Sequence, residues 1–142
     1  MRALLDMNVM LALFDPEHAH HVSARTWWID HRSEGWASCP LTQNGFVRII
    51  SNPRYPRPLL LADAASIMQA QLALPEHEFW PDNISIADPT IFDFSRILGP
   101  SQITDIYLLA LAVKNKGRFV TFDQAIPMAS VRRAEQQHVA VL

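Results

Sequence analysis

The sequence predicts an α/β sandwich around a mainly parallel sheet of about five strands, in one domain spanning residues 1–142. Three observations carry this. Short apolar runs alternate along the chain with longer stretches of helical character. The run Ala3 to Leu5, ending in Asp6, is unbroken and apolar, as a buried parallel strand is. The length, 142 residues with 49% hydrophobic and 18% charged side chains, suits one core of ordinary size and excludes a disordered chain.

The elements follow in order. Ala3 to Leu5 is a strand ending at Asp6, and Val9 to Phe14 reads as helical or irregular. A helix is expected from Asp15 as N-cap and Pro16 at its first position, with Val22, Ala24, Trp27, Trp28 and Ile29 as its apolar stripe and Gly35 as the end of the unit. "WASC" is a strand, and Leu41 to Ile50 is a helix on a stripe of Leu41, Phe46, Ile49 and Ile50. "SNPRYPRP" is a loop, because proline interrupts both helix and sheet. "LLLADAASIMQAQLAL" is rich in helix formers, and "HEFW" is a strand. "PDNISIADPTIFDFSRILGPS" carries short helical turns between prolines. "QITDIYLLALAVKNKGR" is a helix with Gln102 or Thr104 as cap and Gly117 as stop. "FVTFD" is a strand and turn, and "HVAVL" a terminal strand.

Net charge is -2, so no global basic field announces nucleic acid; binding it would take a local basic patch or a metal. The one cysteine, Cys39, forms no internal disulfide, fits a reducing compartment and reads as a small buried residue. Asp6 and Asn8 interrupt the apolar N-terminus, which argues against a signal sequence. No stretch reaches the ~18 apolar residues of a membrane span, so a cytoplasmic protein is expected.

Ligands of such sheets bind beyond the carboxyl ends of the strands. Asp6 falls there after the first strand, Asp123 after "FVT", and Asp105 in the first turn of the "QITD" helix. Taken singly, Asp105 is a dipole-stabilising acid and Asp123 a turn residue. Asp6, inside "ALLDMNVMLAL", is a partly buried carboxylate that needs a partner, and Asn8 is placed to hold it. If the three converge, like charges ~4 Å apart repel by roughly 4 kcal/mol at an effective dielectric near 20. They would then bind protons or a hard cation such as Mg2+ or Mn2+, which activates water and holds phosphate oxygens.

"LLDMNV", "LTQNGFVRI", "TDIYLLALA" and "FVTFD", in this order and at these separations, resemble a PIN-domain ribonuclease, specifically the toxin of a VapBC-type toxin–antitoxin pair. "HEFWPDN" and "DFSRILGPSQITDIYLLALAV" strengthen the likeness, which covers essentially the whole chain. The resemblance implies a five-stranded parallel sheet flanked by helices and endonucleolytic cleavage of RNA. It implies Asp6, Asp105 and Asp123 as Mg2+ (or Mn2+) ligands, Asn8 orienting Asp6, and Thr121 or Thr104 bonded to the acids. It also implies a homodimer and a small VapB-like antitoxin laid across the active-site face. Gln43 departs from it, standing where the family carries a glutamate; its carbonyl can bind a hard cation but brings no charge.

Two alternatives stand beside this. A haloacid-dehalogenase-like phosphatase also wants an aspartate after the first strand, but its second acid would fall on Asn8. A domain weakened by Gln43 would bind RNA or an antitoxin without cutting. Other features have plainer readings. His18 and His21, at i and i+3, suit a metal or RNA contact less well than a solvated first turn. Trp27 and Trp28 suit base stacking, an antitoxin or the core. Arg48 is expected to face the site, whereas Arg54 and Arg57 fit solvated surface as well as an RNA contact. Lys114, Lys116 and Arg118 surround a helix end, where cations are favoured anyway, and Asn44, Asp63, Asp82, Asp88 and Asp93 read as surface, cap and turn residues.

Overall fold

The computed structural model describes residues 1–142. Five strands, β1 (Ala3–Leu5), β2 (Trp36–Ser38), β3 (His77–Phe79), β4 (Arg118–Thr121) and β5 (Val139–Val141), form one sheet in the order β3-β2-β1-β4-β5. Every pairing is parallel. The helices are α1 (Met7–Phe14), α2 (His21–His31), α3 (Pro40–Ile50), α4 (Leu61–Leu72) and α5 (Ile103–Lys114).

Successive strand residues feed opposite layers, as a two-unit side-chain period requires. Leu4 and Phe119 pack with α5 and with Trp80, Phe92 and Val131. Ala3, Leu5 and Val120 pack instead with Val9, Met10, Phe46, Ile50, Ala64 and Met68 from α1, α3 and α4. The chain first builds outward from β1 through β2 to β3, then returns to the other side of β1 with β4. The strand order therefore reverses between β1 and β4, and the carboxyl ends of those two strands open a crevice.

Several boundaries differ from expectation. Asp15 does not start α2; it follows α1, and its side chain accepts hydrogen bonds from the Glu17 amide and the Tyr55 hydroxyl. The chain uses residues 16–20 to turn back, and α2 begins at His21 after an N-cap, His20, that makes no side-chain bond. The expected α2 stripe is correspondingly narrower. Ala24 is buried and both tryptophans are half-buried, but Val22 and Ile29 are 76% and 58% exposed.

Residues 7–14 are helical because the Asp6 carboxylate caps them, accepting from the Met7 amide. Cys39 falls after β2 rather than in it. It caps α3, with its own amide donating to Thr42 Oγ1 at 3.0 Å, and Pro40 takes the first helical position. Neither Gln102 nor Thr104 caps α5 through its side chain; the Gln102 amide oxygen instead accepts from Leu98 N. Gly117 is not the left-handed residue ending α5, a place taken by Lys116 at φ 56°. Gly117 serves close approach instead, since a Cβ there would lie 2.6 Å from both the Arg2 carbonyl oxygen and the Trp80 ring.

Candidate active site

Three elements deliver the three aspartates to the crevice. Asp6 ends β1, Asp123 lies two residues past β4, and Asp105 is in the first turn of α5. Asp6 is 5% exposed and must find partners for both oxygens. Oδ1 accepts from the Met7 amide at 2.7 Å, and Oδ2 accepts from the Thr121 hydroxyl at 2.6 Å. Thr121 is fully buried and its bonding capacity is used up. Its oxygen also accepts from Asn8 Nδ2 at 3.3 Å and from the Asp123 amide at 3.1 Å. With both lone pairs occupied, its one proton is directed at Asp6.

Asn8 thus works mainly through Thr121, and its own carbonyl accepts from the Phe122 amide at 3.4 Å. Of the two threonines expected to bond the acids, Thr121 does so. Thr104 is half-buried in the first turn of α5, with no side-chain bond to them.

The charges are uncompensated. Burial raises the Asp6 pKa, and the Asp123 charge adds to the rise; bonds from Thr121, Met7 and Asn8 act against it. Asp105 is pushed up to about 6, by burial first, then by the charges of Asp6 and Asp123 and by a hydrogen bond with Asp123. No lysine or arginine acts on Asp6 or Asp105. Close carboxylates without a cation share protons or take a hard ion. This all-oxygen, anionic donor set fits Mg2+ or Mn2+ chemically. The side chains do not, however, stand as a closed metal-holding group of three, so they are coupled by charge and not arranged as a finished cage.

Gln43 sits one strand away at the same edge. It is half-buried on the first turn of α3, and its Nε2 donates to Ser38 Oγ at 3.0 Å. Ser38 ends β2, is fully buried, and has its Oγ 2.8 Å from His77 Nε2. Neither Ser38 nor His77 is a sequence candidate. Ser38 was legible in principle, as a polar residue at a strand's carboxyl end; His77 reaches it only because β3 lies beside β2.

Several other candidates make no hydrogen bond or ion pair with the acids. Arg48 is exposed near the end of α3, and Asn44 is exposed on its first half. His18 and His21 form no metal pair: His18 lies in the turn before α2 and takes the His20 amide, while His21 Nδ1 bonds the Ala12 carbonyl. Trp27 stacks on His31 at 4.6 Å, and both Trp27 and Trp28 pack against the core, which favours the core reading. Arg57 pairs with Glu17, Arg118 with Glu34, and Lys114 donates to Asn83. Asp82 accepts from the Leu41 amide, and Asp88 and Asp93 close local turns. Burial pushes the Cys39 thiol up to about 11, which leaves it unreactive.

The PIN-domain family pattern matches residues 3–132. The chain belongs to the PIN-domain family. Over its full length this PIN domain is 52% identical to Ribonuclease VapC44 of Mycobacterium tuberculosis, all of which is covered. It is 41% identical to Ribonuclease VapC39 of the same species, over 89% of this chain and 91% of the relative. It also superposes on VapBC2 from Rickettsia felis, solved bound to a DNA fragment from their promoter, with a TM-score of 0.58 over 87% of this chain and 89% of that one. At 11% identity that likeness is one of fold. The PIN-domain membership sets the phosphatase alternative aside. No helix is long and apolar enough to cross a membrane.

Proposed function

We propose that this protein is a divalent-metal-dependent endoribonuclease acting as the toxin of a VapBC-type pair. The chain is a PIN-domain ribonuclease of the VapC type, and its reaction is hydrolysis of RNA phosphodiester bonds. The observation that carries the metal-dependent reading is the gathering of Asp6, Asp105 and Asp123 at the β1/β4 crevice with no cation among them. These three are the proposed ligands of Mg2+ or Mn2+, and Gln43 offers a neutral carbonyl at the same edge. A metal held there supplies an activated water and neutralises charge on the phosphate.

The chain's own residues do the rest. Thr121 aims its proton at Asp6 and fixes that carboxylate's orientation, and Asn8 holds Thr121. Asp105, whose pKa burial and the neighbouring carboxylates push up to about 6, would be deprotonated as a ligand of a bound cation. Arg48 is a proposed RNA contact at the rim. A VapB-like antitoxin is the proposed partner and a homodimer the proposed assembly, supported by kinship with the VapC proteins and by fold likeness to VapBC2.

The test is RNA cleavage by purified protein with Mg2+ or Mn2+, read by sequencing the 5′ ends of fragments. Cleavage should stop on chelation and fall at least about 100-fold in Asp6→Asn. An Asp6→Asn variant cutting at the unaltered rate would overturn the reading. A module that binds without cutting is the second reading, favoured by the absence of a closed metal-holding group and the neutrality of Gln43. Failure to bind Mn2+ even at millimolar concentration would select it.

A further inference from the structure

An amide has two unlike ends: the oxygen accepts and the nitrogen donates. At an edge lined by acids, the end that Gln43 turns outward decides whether it welcomes or opposes a cation. Its Nε2 is committed to Ser38 Oγ at 3.0 Å. Ser38 is fully buried, and its only other side-chain partner is His77 Nε2 at 2.8 Å. A hydroxyl has one proton. If its oxygen accepts from Gln43, that proton goes to His77 Nε2, which must then be a bare acceptor. The ring proton then belongs on Nδ1, and burial lowers the His77 pKa, which favours the neutral ring. The Trp36 ring, 4.5 Å from the His77 ring, fixes its plane.

Each donor in this chain has one acceptor, from Ser38 to His77 and from Gln43 to Ser38. The group left over is Gln43 Oε1. β1 and β2 pair in parallel with Leu4 beside Ala37, so Ser38 and Cys39 flank Leu5 and Asp6 at the carboxyl edge.

We propose that Ser38 and His77 are positioning residues, which hold the Gln43 amide with its nitrogen inward and its carbonyl oxygen free as a directed neutral ligand for a hard divalent cation, bound directly or through water. This rests on the acidic edge being a metal site. Without the relay the amide is free to rotate and present Nε2, a donor that a cation excludes. A carboxylate has no such polarity, because both of its ends are oxygens. The relay therefore matters only while residue 43 is an amide.

Mn2+ titration of the metal-free full-length protein by calorimetry tests this, with thermal melting to check folding. Ser38→Ala should weaken Mn2+ binding about tenfold. Ser38→Thr, which keeps the hydroxyl, should restore it. His77→Phe, which keeps a ring against Trp36, should reproduce part of the loss. In a Gln43→Glu background, Ser38→Ala should leave Mn2+ binding unchanged. Unaltered binding in Ser38→Ala with Gln43 present overturns the inference. So does an equal loss in both backgrounds, which would mark a general structural effect. Asp6→Asn separates the two levels. If it abolishes binding while Ser38→Ala does nothing, only the relay fails; if it changes nothing, the metal-site reading fails and the relay with it.

Discussion

The two edges of the sheet handle charge in opposite ways. At the amino edge four of the six ion pairs gather: the N-terminal amine with Glu34, Arg2 with Glu78, Arg32 with Glu76, and Arg118 with Glu34. At the carboxyl edge Asp6, Asp105 and Asp123 face one another without a cation. Side chains set this difference. The amino edge is neutralised by partners from its own chain. The carboxyl edge is left anionic, which costs stability and keeps the site open to an external cation.

The largest effect should come from neutralising the carboxyl edge. Asp105→Asn is expected to lower RNA cleavage by about 10²- to 10³-fold while raising the melting temperature of the metal-free protein, because it removes a half-buried like charge. Parallel cleavage and melting measurements check both signs. A variant that lost stability along with activity would contradict the view that this edge is strained by its charge.

Next comes a steric test of the amino edge. Gly117→Ala puts a Cβ against the Arg2 carbonyl and the Trp80 ring, and should cost about 1–3 kcal/mol by denaturant unfolding. Cleavage per folded molecule should be unchanged, since no aspartate is touched.

pH separates the edges by sign. Asp105 titrates at about 6 when folded against 3.8 for the free side chain. The folded state therefore binds the proton more tightly. Metal-free stability should fall as pH rises from about 4 to about 6, on the order of 1–2 kcal/mol after solvent screening. Melting in chelator across that range should show the slope, and Asp105→Asn should flatten it. Glu34 is held below its ordinary value, first by its hydrogen bond from the N-terminal amine, with the Arg118 charge adding to it. Its contribution is present above about 4.5 and is lost as pH falls. The smallest effect belongs to that group. Glu34→Ala should cost within about 1 kcal/mol at neutral pH and leave Mn2+ binding and cleavage intact.

Much of the fold was legible because a buried parallel strand such as β1 reads as a short unbroken apolar run, whereas the edge strand β3, with His77 and Glu78, is polar and largely exposed. The start of α2 was not. Asp15 followed by Pro16 is a sound local start signal, but the chain needs residues 16–20 to reverse after α1, and tertiary geometry overrode the cap. Gly117 misled similarly, because a glycine after a helix signals a left-handed cap as readily as the close approach it provides here.

Asp6, Asp105 and Asp123 could be nominated from sequence because strand ends and a helix start are visible in it. Their mutual influence could not be seen, because Asp6 and Asp123 are brought together only by the pairing of β1 with β4. The same holds for Thr121, whose proton goes to Asp6 from a residue 115 positions away. It holds as well for the contact between Ser38 and His77, 39 positions apart. Composition, periodicity and strand-end chemistry thus determined an α/β chain with acids at one edge, since these are properties of single residues and their neighbours in sequence, while the place of Gln43 beside them came from the family resemblance. Which hydroxyl bonds which acid, where Asp105 titrates, and which end of Gln43 is left free depend on donors and acceptors brought together by strand pairing, and only the tertiary structure decided them.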